Sequence, residues 1–176
     1  MANTFVKIST VTVGSGGAAT IAFTSIPQTY TDLKVVLSIR STSGAAPARV
    51  IRMKVNNLTT SIYSQRALEA DGSTVYSFSE SGTDSAVRVG LTNASTATAS
   101  TFASGEIYIP NYTSSNNKSM SVEFVTENDG TTAYIEFLAY LVATSVAITD
   151  LTITPEALAA NFAQYSTATL YGIKSS

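Results

Sequence analysis

The sequence predicts an all-β domain, a sandwich or barrel of antiparallel strands with one short helix near residues 155–165. Short runs rich in Val, Ile, Tyr, Phe and Thr recur along most of the chain and are separated by Gly, Asn, Asp and Pro clusters. Apolar and polar residues alternate at the strand period, most clearly at Leu33, Val35, Leu37 and Ile39. Helical spacing occurs once, late in the chain. The 176 residues suit one domain spanning 1–176, and such a chain buries roughly 70% of its unfolded surface without a metal or disulfide staple.

Thr4 to Val13 is the first expected strand, Gly14-Ser15-Gly16-Gly17 a turn, and Ala18 to Thr24 its return in a first hairpin. Leu33 to Arg40 is the clearest half-buried strand, and a Gly-Ala-Ala-Pro loop at 44–47 leads into Val50 to Val55. From about Asn56 to Ala103 the pattern weakens. That stretch, with Tyr63, Tyr76, Phe78 and a strand candidate at Ala86 to Leu91, reads as long loops with short strands, and Ser95 to Gly105 as a solvated loop. Gly105 to Pro110 is the next strand, which proline closes or holds at an edge because it cannot donate to a ladder.

Ser119 to Glu127 and Thr131 to Ala143 flank Asn128-Asp129-Gly130, and Asp-Gly is a strong hairpin signal. A two-residue Asp129-Gly130 turn pairs Asn128 with Thr131, setting Phe124 opposite Ile135 and Val122 opposite Phe137. Val146 to Ile153 and Ala168 to Ile173 complete the strands. Between them Thr154 can cap a helix, Pro155 suits its first position, and Leu158, Phe162 and Tyr165 fall on one helical face.

Composition excludes more than it identifies. Ser and Thr supply 24 and 26 residues, while charged residues are 12%, about half the usual fraction, so surface polarity comes from hydroxyls. His, Cys and Trp are absent. That removes thiol nucleophiles, Ser-His-Asp triads and metal sites built on imidazole or thiolate, and no cofactor is expected. A net charge of −2 offers no basic excess to displace counterions from phosphates, so no nucleic-acid partner is expected. No membrane partner is expected either. The longest apolar-rich stretch, Tyr134 to Ala143, is about half of a membrane helix, and Met1 to Lys7 lacks a basic start and apolar run, as expected of a protein made in a cytoplasm.

Few side chains are arranged for chemistry. The chosen register sets Glu123 opposite Glu136, and like charges so placed need an explanation. They either share a proton or cation, serve as an acid/base pair for glycoside hydrolysis, or are solvated and neutralised by a neighbouring Lys or Arg. Glu69, Asp71 and Asp84 lack the spacing of a calcium loop. Gly14 to Gly17 lacks the lysine of a phosphate-binding loop. In Thr131 to Ala143, Ala133, Ile135, Phe137, Ala139 and Leu141 form one apolar face, while Tyr134, Leu138, Tyr140 and Val142 surround Glu136 on the other. This second face must be covered, by the helix or N-terminal segment of the same chain or by another subunit. Tyr134, Leu138, Tyr140 and Val142 are therefore the candidate interface residues.

Three stretches carry a resemblance. Ser25-Ile26-Pro27-Gln28-Thr29-Tyr30-Thr31-Asp32-Leu33 runs into the strand ending at Arg40, Tyr108-Ile109-Pro110-Asn111-Tyr112 precedes the Ser119 strand, and Leu170-Tyr171-Gly172-Ile173-Lys174 closes the chain. Together they resemble a family of tailed-bacteriophage virion surface proteins, found as capsid decoration (cement) subunits or on tails and fibres. The resemblance implies an antiparallel, jelly-roll-like β-sandwich and a non-enzymatic structural role on the capsid surface. It further implies a homo-oligomer, a trimer being favoured, that stabilises the head by bridging major capsid protein subunits. The alternative is a tail or fibre protein that binds host-surface carbohydrate by stacking sugars on Tyr63, Tyr76 and Tyr112.

Overall fold

A computed structural model describes residues 4–44, 48–84, 86–130, 133–156 and 160–174. Among them are twelve strands: β1 (Phe5–Thr12), β2 (Ile21–Phe23), β3 (Asp32–Ile39), β4 (Ala48–Val55), β5 (Tyr63–Ala70), β6 (Val75–Asp84), β7 (Val87–Asn93), β8 (Ala103–Ile109), β9 (Lys118–Val125), β10 (Ile135–Val142), β11 (Leu151–Pro155) and β12 (Thr167–Ile173). They form an eight-stranded sheet, ordered β1-β12-β3-β8-β9-β10-β5-β6, and a four-stranded sheet, ordered β2-β11-β4-β7. Every ladder is antiparallel. The small sheet lies over the large one as a sandwich, with β7 against β8, β9, β10 and β5.

Alternation decides what enters the layer between the sheets. Leu33, Val35, Leu37 and Ile39 of β3 are buried, as the sequence predicts, and meet Ile51, Met53 and Val55 of β4 with Leu151 and Ile153 of β11 in one core. Each large apolar side chain so buried contributes roughly 1.5–3 kcal/mol. Phe124 depends on two glycines. Gly105 is its cross-strand partner in β8 and Gly90 approaches from β7, and a Cβ at either would stand well inside contact distance of the ring.

Three expectations are corrected. Gly14 to Gly17 does turn, with Gly17 N donating to Gly14 O at 3.0 Å, but the strands on either side do not pair as a hairpin. β1 joins β12 and β2 joins β11, so the turn carries the chain from one sheet to the other. The helix near 155–165 is absent from the described residues, which hold no helix. Thr154 and Pro155 end β11 opposite Arg52 and Ile51, a terminal strand position where a missing N–H is tolerated. Phe162 is instead a fully buried plug, exchanging both backbone bonds with Ala18 at 2.7 and 3.1 Å. Tyr165 takes φ 71°, which helix continuation forbids; Leu158 lies outside the described residues.

The third correction is register. β10 pairs with β9 as Ile135↔Val125, Glu136↔Phe124 and Phe137↔Glu123, one residue away from the two-residue turn. Thr126 N bonds Tyr134 O at 2.8 Å, so the connection is longer than Asp129-Gly130. Asn128 is buried and its Nδ2 donates to Asn93 Oδ1 at 3.0 Å, drawing the connection toward β7. A one-residue slip reverses every side chain of a strand, with the consequences described below.

The segment read as loops contains β5, β6 and β7, and the loop after β7 is tied down from below. The Arg40 guanidinium donates to Thr98 O and Thr101 O at 2.8 Å each, to Ala97 O at 2.9 Å and to Ser95 O at 3.3 Å. These bonds replace the solvation expected of so polar a loop. Arg40→Met is expected to cost about 1–2 kcal/mol, since the freed carbonyls regain water, and to expose residues 95–101 to a non-specific protease. Denaturant unfolding and mapping of the first cleavage site check this, and unchanged protection of the loop would refute it.

Candidate interaction face and buried carboxylate pair

The slipped register exchanges the two faces of β10. Tyr134 lies just before the strand and is half-buried, while Leu138, Tyr140 and Val142 are buried in the layer between the sheets. The face expected at an interface is thus the inner one, covered by the same chain through its small sheet rather than by a helix. The opposite face points away from the small sheet, with Phe137 50%, Ile135 42% and Leu141 40% exposed.

Neighbouring strands extend this outer face. Across β9, β10, β5 and β6 one row reads Val125, Ile135, Ala70, Val75, and the next Glu123, Phe137, Leu68, Ser77. Leu68 is 53% and Val75 73% exposed. The third row, Ser121, Ala139, Arg66, Ser79, is mostly small and hydroxylic. The result is a flat apolar centre with a serine rim and few charges, the composition of a docking surface rather than of a solvated sheet. Shallow depressions mark it beside Arg66, Leu68, Phe137 and Ala139. The contribution of Leu68 and Val75 was hidden in the sequence because Gln65, Glu69, Glu80 and several serines interrupt the apolar pattern there.

Glu123 and Glu136, expected opposite each other, lie on different faces. Glu123 is on the outer face opposite Glu106, whose carboxylate holds Lys34 Nζ at 2.7 Å. Glu136 points inward opposite Glu69 of β5. The two inner carboxylates share one guanidinium from the other sheet: Arg88 Nη2 of β7 lies 2.6 Å from Glu136 Oε1 and also bonds Glu69 Oε2. Leu91 N donates to Glu136 Oε2 at 2.6 Å, and the Arg88 guanidinium stacks 4.8 Å above Phe78.

Burial pushes the Glu136 carboxyl up to about 7, and the Glu69 charge adds to the rise, against the lowering by Arg88 and the Leu91 N–H. Gln65, beside Tyr140 in the same layer, has both side-chain polar atoms buried without a hydrogen-bond partner, as has Arg88 Nε. Chemically this group can hold a proton and tie β7 to β5 and β10. General acid–base work needs a reacting group within hydrogen-bond reach, and Glu136 is 1% exposed. The two glutamates proposed for glycoside cleavage are separated by the thickness of the sheet.

The other candidates disperse as well. Asp71 accepts bonds from Ser73 N, Ser73 Oγ and Thr74 N at 2.8–2.9 Å, which hold its carboxyl down at about 2, while Glu69 is committed to Arg88. The Asp84 side chain lies outside what is described. Among the described residues no group of three or more metal-ligating side chains occurs. Of the aromatic rings proposed to stack on sugars, Tyr63 and Tyr112 are buried. Tyr63 Oη accepts from Val55 N at 3.1 Å, and Tyr112 Oη donates to Pro27 O. Tyr76 alone of the three is exposed, its hydroxyl on Asp71 Oδ2 at 3.1 Å. Among the described residues no helix is long and apolar enough to cross a membrane. The chain matches no protein-family model and no curated protein.

Proposed function

We propose that this protein is a structural part of a tailed-bacteriophage virion, a capsid decoration protein that stabilises the head by joining neighbouring subunits on its outer surface. The observation that carries the reading is the uncovered apolar face of β9, β10, β5 and β6. A sheet face of this composition is stable in water chiefly when a neighbour covers it. The low charge, the hydroxyl-rich rim and the three stretches that resemble virion surface proteins support the same role. The mechanism is added buried area: each contact is moderate, and the repeating lattice makes the sum multivalent.

The major capsid protein is the partner this reading names, and the capsid surface the location. Quantitative mass spectrometry of purified particles is expected to find the chain in numbers comparable to the major capsid protein. A handful of copies per particle would instead place it on a tail or fibre. Carbohydrate stacking ranks second because two of its three rings lie in the core.

A further inference from the structure

We propose that the outer face of β9, β10 and β5 is where a second copy of this chain packs, face to face about a two-fold axis, with Arg66 of each copy meeting Glu123 of the other. The proposal rests on the reading of this face as a docking surface and names its occupant. Charge complementarity singles out a second copy. Arg66 and Glu123 stand at opposite corners of the apolar centre, two strands and two residues apart, on either side of Phe137 and Ala139.

Neither has an ionic partner among the described residues. Arg66 donates to Gln65 O of its own strand at 2.8 Å. Glu123 faces Glu106, a like charge already engaged by Lys34, an unfavourable pairing that no ionic contact among the described residues offsets. A face with one positive and one negative corner is complementary to its own copy when the two-fold axis lies in the interface, perpendicular to the line joining them.

Strand spacing fixes the rest of that arrangement. With strands about 4.8 Å apart and about 3.4 Å per residue, the axis runs roughly 35° from β10 and the facing strands cross at roughly 70°, toward the orthogonal class of sheet packing. Both Arg66–Glu123 pairs then form together, and Phe137 and Leu68 flank the axis and meet their counterparts. Three to four strands of this length offer on the order of 500 Å² of flat face per copy, at the small end of specific interfaces. The pair is therefore concentration-dependent, reaching its full strength only where a lattice holds the copies close. Two sandwiches joined back to back also point their small sheets in opposite directions, which suits a unit that must grip two neighbours.

Charge exchange tests the contact. In sedimentation equilibrium the wild-type protein is expected to form dimers at about 100 µM. Arg66→Glu and Glu123→Arg should each weaken dimerisation about tenfold or more. An equimolar mixture of the two variants should recover it, because the introduced glutamate of one faces the introduced arginine of the other while the native pair also forms. Both substitutions are on the exposed face, and unchanged circular dichroism establishes that each variant is folded. A wild-type monomer at that concentration, a trimer, dimers indifferent to either charge reversal, or a mixture that stays monomeric would overturn the inference. Each of those outcomes leaves the virion reading standing, since copy number on particles tests that separately.

Discussion

Arg88→Met is expected to destabilise the protein by roughly 3–5 kcal/mol at pH 8 and by much less at pH 5. Arg88 is the cation between Glu69 and Glu136; without it two inward carboxylates face each other across adjacent strands, one of them 1% exposed. At pH 8 the Glu136 carboxylate is charged and uncompensated, whereas at pH 5, below its raised value, protonation of Glu136 relieves it. The wild type carries the same dependence in milder form. The folded-state value of Glu136, about 7, lies above its ordinary 4.5. Its favourable contribution is therefore complete below pH 4.5 and is lost as pH rises through 7.

Glu136→Gln should flatten this slope between pH 5 and 8, and should reduce the loss caused by Arg88→Met when the two are combined. Asp71 does not confuse the window. Its carboxyl is lowered from 3.8 to about 2, so its stabilisation is present above pH 3.8 and fails as pH falls through 2. Urea unfolding of the three variants at both pH values measures all of this; an equal loss from Arg88→Met at pH 5 and pH 8 would remove the charge explanation.

Gly105→Ala is expected to cost about 3 kcal/mol, the upper range for overpacking a filled core, although it adds one methyl group to a strand. The new Cβ would stand well inside contact distance of the Cδ2 edge of the Phe124 ring, and Gly90 of the opposite sheet is packed closely against Cγ and Cδ1. Gly105 isolates the steric effect, whereas Gly90 at φ 143° would add backbone strain. In a Phe124→Ala background the same Gly105→Ala change should cost less than about 1 kcal/mol, since the atoms it collides with are gone. Equal costs in the two backgrounds, read from urea midpoints, would mean that the ring is not the obstacle.

The strands that could be read in the sequence are those whose inner faces are uniformly apolar. Leu33 to Ile39 and Gly105 to Ile109 meet this condition, and Pro110 stands one residue beyond its strand as expected. β5 reads as part of a loop-rich stretch because its inner positions include Gln65 and Glu69, and Glu69 is legible as inner only once Arg88 is known to reach it from another strand. Asp129-Gly130 suggested the shortest turn, but the burial of Asn128 against Asn93, 35 residues away, set the register. That contact is tertiary and leaves no local signal.

The same slip explains the candidate sites. The Glu123–Glu136 pair that the two-residue turn predicts does not form: Glu136 faces Phe124 on β9 and Glu69 on β5. The apolar character of both β10 faces was also visible, and only the choice of outer face required the structure. The Thr154-Pro155 helix signal failed because Ile153 and Pro155 are both buried in the small sheet, and the partners in β4 outweighed local capping preference.

β12 lies between β1 and β3 in the large sheet, so the twelfth strand joins the first and the third. While the polypeptide is still growing on the ribosome, β1 has no neighbour to bond and β3 has one open side. Closure waits until Ile173 has emerged from the exit tunnel. Nascent chains stalled before Thr167 should therefore remain sensitive to protease and bound by chaperones, however complete the middle of the molecule already is.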